Sequence, residues 1–132
     1  MSEQITIRGL VATSPRAIAT ESGLAVTTFR LAAPSRRFDF ESARWVSDQT
    51  NWYTVSTFRR LAENVAQSVS KGDRILVHGR IKIRDWDNGE RSGTAVEIDA
   101  DSLGPDLVFG TASLERAPLP EEEDSESELQ PA

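Results

Sequence analysis

Residues 74–86 read Arg74-Ile75-Leu76-Val77-His78-Gly79-Arg80-Ile81-Lys82-Ile83-Arg84-Asp85-Trp86. Successive side chains of a strand point to opposite faces, so this stretch predicts one long strand with two unlike sides. Ile75, Val77, Gly79, Ile81 and Ile83 form an aliphatic face suited to a core. Arg74, Leu76, His78, Arg80, Lys82, Arg84 and Trp86 form a basic stripe that ends in an indole. Cations that track phosphates, beside an aromatic ring on which a base stacks, are the two features a single-stranded nucleic acid requires of a protein surface.

The residues before this strand change period. From Arg60 to Ser70 the apolar positions Leu61, Val65 and Val69 recur at i, i+4 and i+8 with Ala62 and Ala66 beside them, which predicts a helix. Lys71-Gly72 reads as its stop, with a cation in the last turn and a glycine just past it. Before the helix, Trp52–Phe58 predicts a strand with Tyr53, Val55 and Thr57 inward and Trp52, Thr54, Ser56 and Phe58 outward. Further upstream, 24–32 predicts a strand burying Ala25, Thr27, Phe29 and Leu31, and 4–12 another burying Ile5, Ile7 and Gly9. Thr13–Gly23 and Pro34–Asn51 read as loops, the second long enough to suggest function. After the basic strand, Asp87-Asn88-Gly89-Glu90 is a hairpin turn leading to a fifth strand at 94–103.

The resulting order is three strands, one helix, two strands. A mainly all-β chain of this order is the five-stranded Greek-key barrel called the OB-fold, with its helix between strands 3 and 4. Ferredoxin-like and doubly wound folds require more helices between strands. The domain is expected to span 1–104, with 105–132 a flexible acidic tail. Charge supports this division. The first 114 residues carry 14 Lys and Arg against 14 Asp and Glu, so the whole net charge of −6 lies in 115–132. The low overall pI therefore says little about the folded surface. That tail reads as a solubilising segment or as a weak polyanion competing for the basic groove.

The chain has no cysteine, which excludes a disulfide framework, a thiolate zinc site and a cysteine nucleophile. Its start runs straight into a strand pattern rather than a leader, and no apolar stretch approaches the roughly 20 residues of a membrane span. A cytoplasmic location is expected. No Ser/His/Asp arrangement or glycine-rich phosphate loop is present, and no catalytic residue, cofactor or metal is assigned. Asp85, Asp87, Asp99 and Asp101 offer the one alternative, a metal-dependent nuclease, but carboxylates at hairpin ends are ordinarily solvated turn residues.

Trp52, Phe58 and Trp86 sit on polar faces with Arg and Lys, and the 34–51 segment adds Phe38, Phe40 and Trp45 among Arg36, Arg37 and Arg44. The competing assignment for these rings is packing or a protein interface. As stacking platforms they would contribute about 1–3 kcal/mol per base without regard to sequence. Phosphate contacts are expected from Arg74, Arg80, Lys82, Arg84, Arg36 and Arg37. Two further alternatives are an OB-fold RNA binder or primosomal accessory protein using the same surface, and a protein-interaction module.

Asn51-Trp52-Tyr53-Thr54-Val55-Ser56-Thr57-Phe58-Arg59-Arg60-Leu61-Ala62-Glu63-Asn64-Val65 resembles the core motif of bacterial single-stranded DNA-binding proteins. So does Val69-Ser70-Lys71-Gly72-Asp73-Arg74-Ile75-Leu76-Val77-His78-Gly79-Arg80-Ile81 with Arg84-Asp85-Trp86. The likeness extends over most of residues 4–103 and points to a short paralog of the actinobacterial branch. It implies a homotetrameric OB-fold that protects single-stranded DNA in replication, recombination and repair, associated with the nucleoid. Carried over by motif, the family's stacking positions fall on Trp52, Phe58 and Trp86, and its first loop tryptophan falls on Phe38. Trp45 lies outside the family pattern. Family members usually end in an acidic tip closing on Ile-Pro-Phe that docks other enzymes. Here Glu121–Glu128 is acidic, but Leu129-Gln130-Pro131-Ala132 has no terminal aromatic, so recruitment through the tip is not expected.

Overall fold

The computed structural model describes residues 3–116 and 118, so the acidic run at 121–128 and the terminal Leu129–Ala132 lie outside the described residues. In chain order the elements are β1 (Gln4–Val11), β2 (Arg16–Ala19), β3 (Ala25–Asp39), β4 (Arg44–Phe58), α1 (Arg59–Ser68), β5 (Arg74–Asp87) and β6 (Ser92–Pro105). Five strands close on one another in the cycle β1-β5-β6-β4-β3-β1. Every pairing in that ring is antiparallel except β4 with β6. The expected five-stranded ring with one intervening helix is therefore present.

Alternation explains how the ring fills. Phe29, Leu31, Val55, Val77, Ile98 and Val11 are fully buried, and Tyr53, Ile75, Val65 and Ala100 join them in one cluster. Two polar residues share this interior, and each is satisfied. Thr57 Oγ1 donates to the Thr27 carbonyl at 2.8 Å, and Thr27 Oγ1 donates to the Ala62 carbonyl at 2.8 Å. An unpaired hydroxyl there would cost about 1–3 kcal/mol. Paired, the two threonines tie β3, β4 and α1 together at the end of the barrel where Ala62 and Val65 are buried.

Four expectations are corrected. The 13–23 segment contains β2, which pairs with β3 from Arg16↔Thr28 to Ala19↔Ala25. Its four residues are all exposed, so it carries no hydrophobic alternation to signal a strand. The 34–51 segment is not a loop but a two-stranded ribbon, formed as β3 and β4 continue past the barrel to a turn at residues 40–43. A ribbon beyond the core has no buried side, and a bulge at Pro34–Arg36 breaks its register as well. The helix ends at Ser68, and Lys71-Gly72 forms a separate turn. Gly72 has φ +98°, and the Asp73 amide donates to the Ser70 carbonyl at 3.1 Å. Finally, Ile83 is 69% exposed rather than buried, because β5 has by then run past the core as a ribbon with β6.

Closure depends on β5 serving two neighbours at once, β1 through residues 74–80 and β6 along its whole length. A bulge lies opposite His78/Gly79, where β6 carries the extra residue, Asp101, between the partners Ser102 and Ala100. A Cβ at Gly79 would stand 2.2 Å from the Asp99 carbonyl oxygen and 2.7 Å from the Ala100 Cα. Backbone lies on that side, so no rotamer change relieves the clash. Gly79→Ala is expected to destabilise the barrel by about 1–3 kcal/mol or more, read as a lower midpoint in urea; an unchanged midpoint would show that the bulge tolerates a side chain.

Past β6 the chain is tied back to the barrel. The buried carboxylate of Asp106 accepts from Arg8 Nε at 3.0 Å and Arg8 Nη2 at 2.8 Å, and from the Val108 amide at 3.1 Å. The Arg74 guanidinium lies 4.4 Å from the centre of the Phe109 ring. The Val108 amide and the Arg8 guanidinium favour the charged form and hold the Asp106 carboxyl below the usual aspartate value, against the opposing effect of burial. A carboxylate depressed in the folded state stabilises fully above its unfolded pKa, and that stability is lost as pH falls through the folded value. Acidification below the ordinary aspartate range is thus expected to lower the protection factor of the Val108 amide, its exchange being taken relative to the intrinsic rate at the same pH, and Asp106→Asn should flatten that dependence. An acid response unchanged in the Asn variant would assign it to another group.

Candidate nucleic-acid interface

Because Thr27, Phe29 and Leu31 of β3 point inward, Thr28 and Arg30 point outward, and the same parity turns Trp52, Thr54 and Ser56 outward on β4. The ladders then set two rows across the outer surface of four adjacent strands. One runs Thr28, Ser56, Asp99, Arg80, and the next runs Arg30, Thr54, Glu97, Lys82. Continuing the same way along the sheet, Trp52 follows Thr54 on β4, while Arg84 and Trp86 follow Lys82 on β5. The structure thus brings Trp52, Arg80, Lys82, Arg84 and Trp86 onto one face.

The two indoles are half open, Trp52 at 50% and Trp86 at 43% exposure. Each is held by a neighbour. The Arg30 guanidinium lies 5.7 Å from the Trp52 ring centre while its Nη1 donates to Thr54 Oγ1 at 3.1 Å. Trp86 pairs with Gly93 across the β5–β6 ribbon, where a Cβ on Gly93 would meet Trp86 Cζ2 at 2.9 Å. The missing side chain lets the indole lie against the backbone. Arg30 and Gly93 were not among the residues expected from sequence. Arg30 is legible as the outward residue between buried Phe29 and Leu31, whereas the Gly93 contact depends on a cross-strand register.

The remaining expected residues are dispersed. Phe58 is half-buried at the far end of β4, opposite Val26 and about 20 Å along the strand from Trp52. Phe38 lies near the tip of the β3–β4 ribbon, edge-on to Phe40 at 5.0 Å and to Trp45 at 5.6 Å. Phe38 itself is half-buried, while Phe40 and Trp45 are 88% and 65% exposed. Arg36 and Arg37 are exposed on the same ribbon, opposite Ser47 and Val46. Arg74 stands at the other end of β5, beside Phe109 and roughly 30 Å from Arg84. His78 is half-buried with its Nδ1 2.8 Å from Thr6 Oγ1.

Two of the expected phosphate ligands already have anionic partners. Lys82 Nζ lies 2.6 Å from Asp99 Oδ2, and Arg84 Nη2 lies 3.4 Å from Glu97 Oε1. Both reach diagonally, since the residues directly opposite them are Glu97 and Ala95. Among the described residues, Arg80, Arg36 and Arg37 form no ion pair, and no three Asp, Glu, His or Cys side chains converge as a metal site would need. Asp85 accepts from Thr94 Oγ1 at 3.2 Å, and Asp87 from the Gly89 amide at 2.8 Å.

A family model described as "Single-strand binding protein family" matches residues 2–106, which takes in every element of the barrel. The chain is 47% identical over 123 residues to the single-stranded DNA-binding protein 2 of Tropheryma whipplei, covering 92% of this chain and 81% of that protein. It is 39% identical over 115 residues to the single-stranded DNA-binding protein of Corynebacterium glutamicum, covering 86% of this chain and 51% of that one. In fold it is similar to the small single-stranded DNA-binding protein of Streptomyces coelicolor, with a TM-score of 0.75 and 37% identity over 83% of this chain and 98% of that chain. With a family model spanning the whole barrel and relatives at this identity, the chain belongs to the single-strand binding protein family.

Proposed function

We infer that this protein binds single-stranded DNA with little sequence preference and protects it during replication, recombination and repair, without catalysing a reaction. The observation that carries this reading is the outer face of β4, β6 and β5, where a line of cations on β5 ends at one half-exposed indole and a second stands across β6 on β4. Bases stack on Trp52 and Trp86 first, because these are the large rings with an open face on that surface. Phe58 and the Phe38 cluster extend the path at its two ends. Arg80, Lys82 and Arg84 meet the backbone along β5 on the approach to Trp86, Arg36 and Arg37 along the ribbon, and Arg74 beyond the barrel. A ring accepts any base, so affinity comes without a sequence code. In this reading the barrel assembles as a homotetramer in the cytoplasm at the nucleoid, as the family resemblance implies.

Titrating the protein with unstructured oligo-dT is expected to quench its tryptophan fluorescence strongly, with only modest loss of affinity at moderate salt and little response to duplex. Trp52→Ala should weaken binding by about 1–3 kcal/mol, roughly 5- to 150-fold, while circular dichroism stays unchanged. Absence of quenching in a folded sample would overturn the reading and leave the indoles as a protein interface.

A further inference from the structure

The cations of the proposed face are not free to act alone. The strand running between the two aromatic-bearing strands is β6, and its outward residues in this region are Glu97 and Asp99. Their side chains are largely covered, at 25% and 18% exposure, whereas Lys82 and Arg84 remain 55% and 67% exposed while reaching over them. The carboxylates are thus set into the sheet, level with Thr54 and Ser56, and the cations fold down onto them. Binding of phosphate by Lys82 or Arg84 exchanges one anion for another. A surface built only to maximise phosphate affinity would place neutral residues at both positions.

We propose that Glu97 and Asp99 set the preference for single-stranded over duplex DNA, by neutralising the middle of the basic stripe. This rests on the single-strand-binding reading above and adds the physical basis of its selectivity. A duplex presents closely spaced phosphates, about one charge per 1.7 Å, and keeps its base faces stacked within itself. Such a ligand gains from this surface only through phosphate contacts, and two buried-edge carboxylates remove much of that gain. A single strand gains mainly from stacking on Trp52 and Trp86, which the carboxylates do not oppose. Specificity here is a difference of affinities, produced by a repulsive element aimed at the competitor. The same arrangement makes single-strand binding less sensitive to salt than the number of cations on the face suggests.

The test compares the wild-type chain with Glu97→Gln/Asp99→Asn, whose amides keep the shape of the side chains they replace. Affinities for oligo-dT and for a blunt duplex of equal length are measured across a range of potassium chloride concentrations. Duplex affinity of the double variant should rise by about tenfold or more per freed cation near 50 mM salt, with the salt slope steeper by about 0.9 per cation. Oligo-dT affinity should rise less, so the ratio between the two falls. Adding Lys82→Gln and Arg84→Gln to the double variant should cancel the gain, and either single carboxylate variant should show the roughly tenfold gain of one freed cation, which keeps the test open if the double variant folds poorly. Unchanged duplex affinity, alongside normal wild-type binding of oligo-dT, overturns the proposal and leaves the function standing. Loss of oligo-dT binding in the folded double variant also overturns it, by showing that the pairs position the cations for phosphate. Failure of the wild-type chain to bind oligo-dT overturns the underlying reading instead.

Discussion

The closed ring of strands is the constraint on which the outer surface depends. A closed barrel has an inside and an outside, and each strand must then commit alternate residues to one or the other. Because Phe29, Leu31, Val55, Val77 and Ile98 fill the interior, Arg30, Trp52, Lys82 and Glu97 have no choice of side. Slipping any one strand by a single residue would exchange the two sets. Gly79, with no side chain against the β6 backbone, lets β5 hold β6 along one edge while β1 occupies the other, and that shared register aligns the cations of one strand with the indole of another.

Beyond the ring, β3–β4 and β5–β6 continue as two-stranded ribbons, and aromatic residues concentrate there. Trp86 belongs to one ribbon and Phe38, Phe40 and Trp45 to the other. Isolated ribbons are marginally stable in water, so these rings stabilise their own supports by packing on a glycine or on one another. Such a structure leaves aromatic faces open without undermining the barrel. Charge follows the same economy of position: Lys82 and Arg84 of β5 are balanced by Asp99 and Glu97 of β6 within the sheet, which weakens the field of that part of the surface.

Most of this architecture was legible in the chain. The buried sets of β1, β3, β4 and the first half of β5 follow directly from period-two alternation, and α1 from the recurrence of Leu61, Val65 and Val69. Prediction stopped where alternation stops carrying information. Residues 34–51 pair as strands with no core beneath them, and Arg16–Ala19 pairs along an edge with every side chain in water. Ile83 carries the right pattern but lies past the last layer of the barrel. In each case backbone pairing, not side-chain burial, defines the element, and backbone pairing leaves little trace in residue type.

The sequence by itself determined the element order, the inward and outward faces, and the identity of the aromatic and basic residues, because these are local properties of spacing and chemistry. Tertiary structure alone decided which of those residues become neighbours. Arg74 and Arg84 lie on one strand yet end up far apart, one beside Phe109 and the other beside Glu97. Arg30 and Trp52 are distant in sequence yet touch, and Lys82 and Asp99 form an ion pair. The reason is register: it is set jointly by all the strands that close the barrel, so no single stretch of the chain specifies which charge will face which.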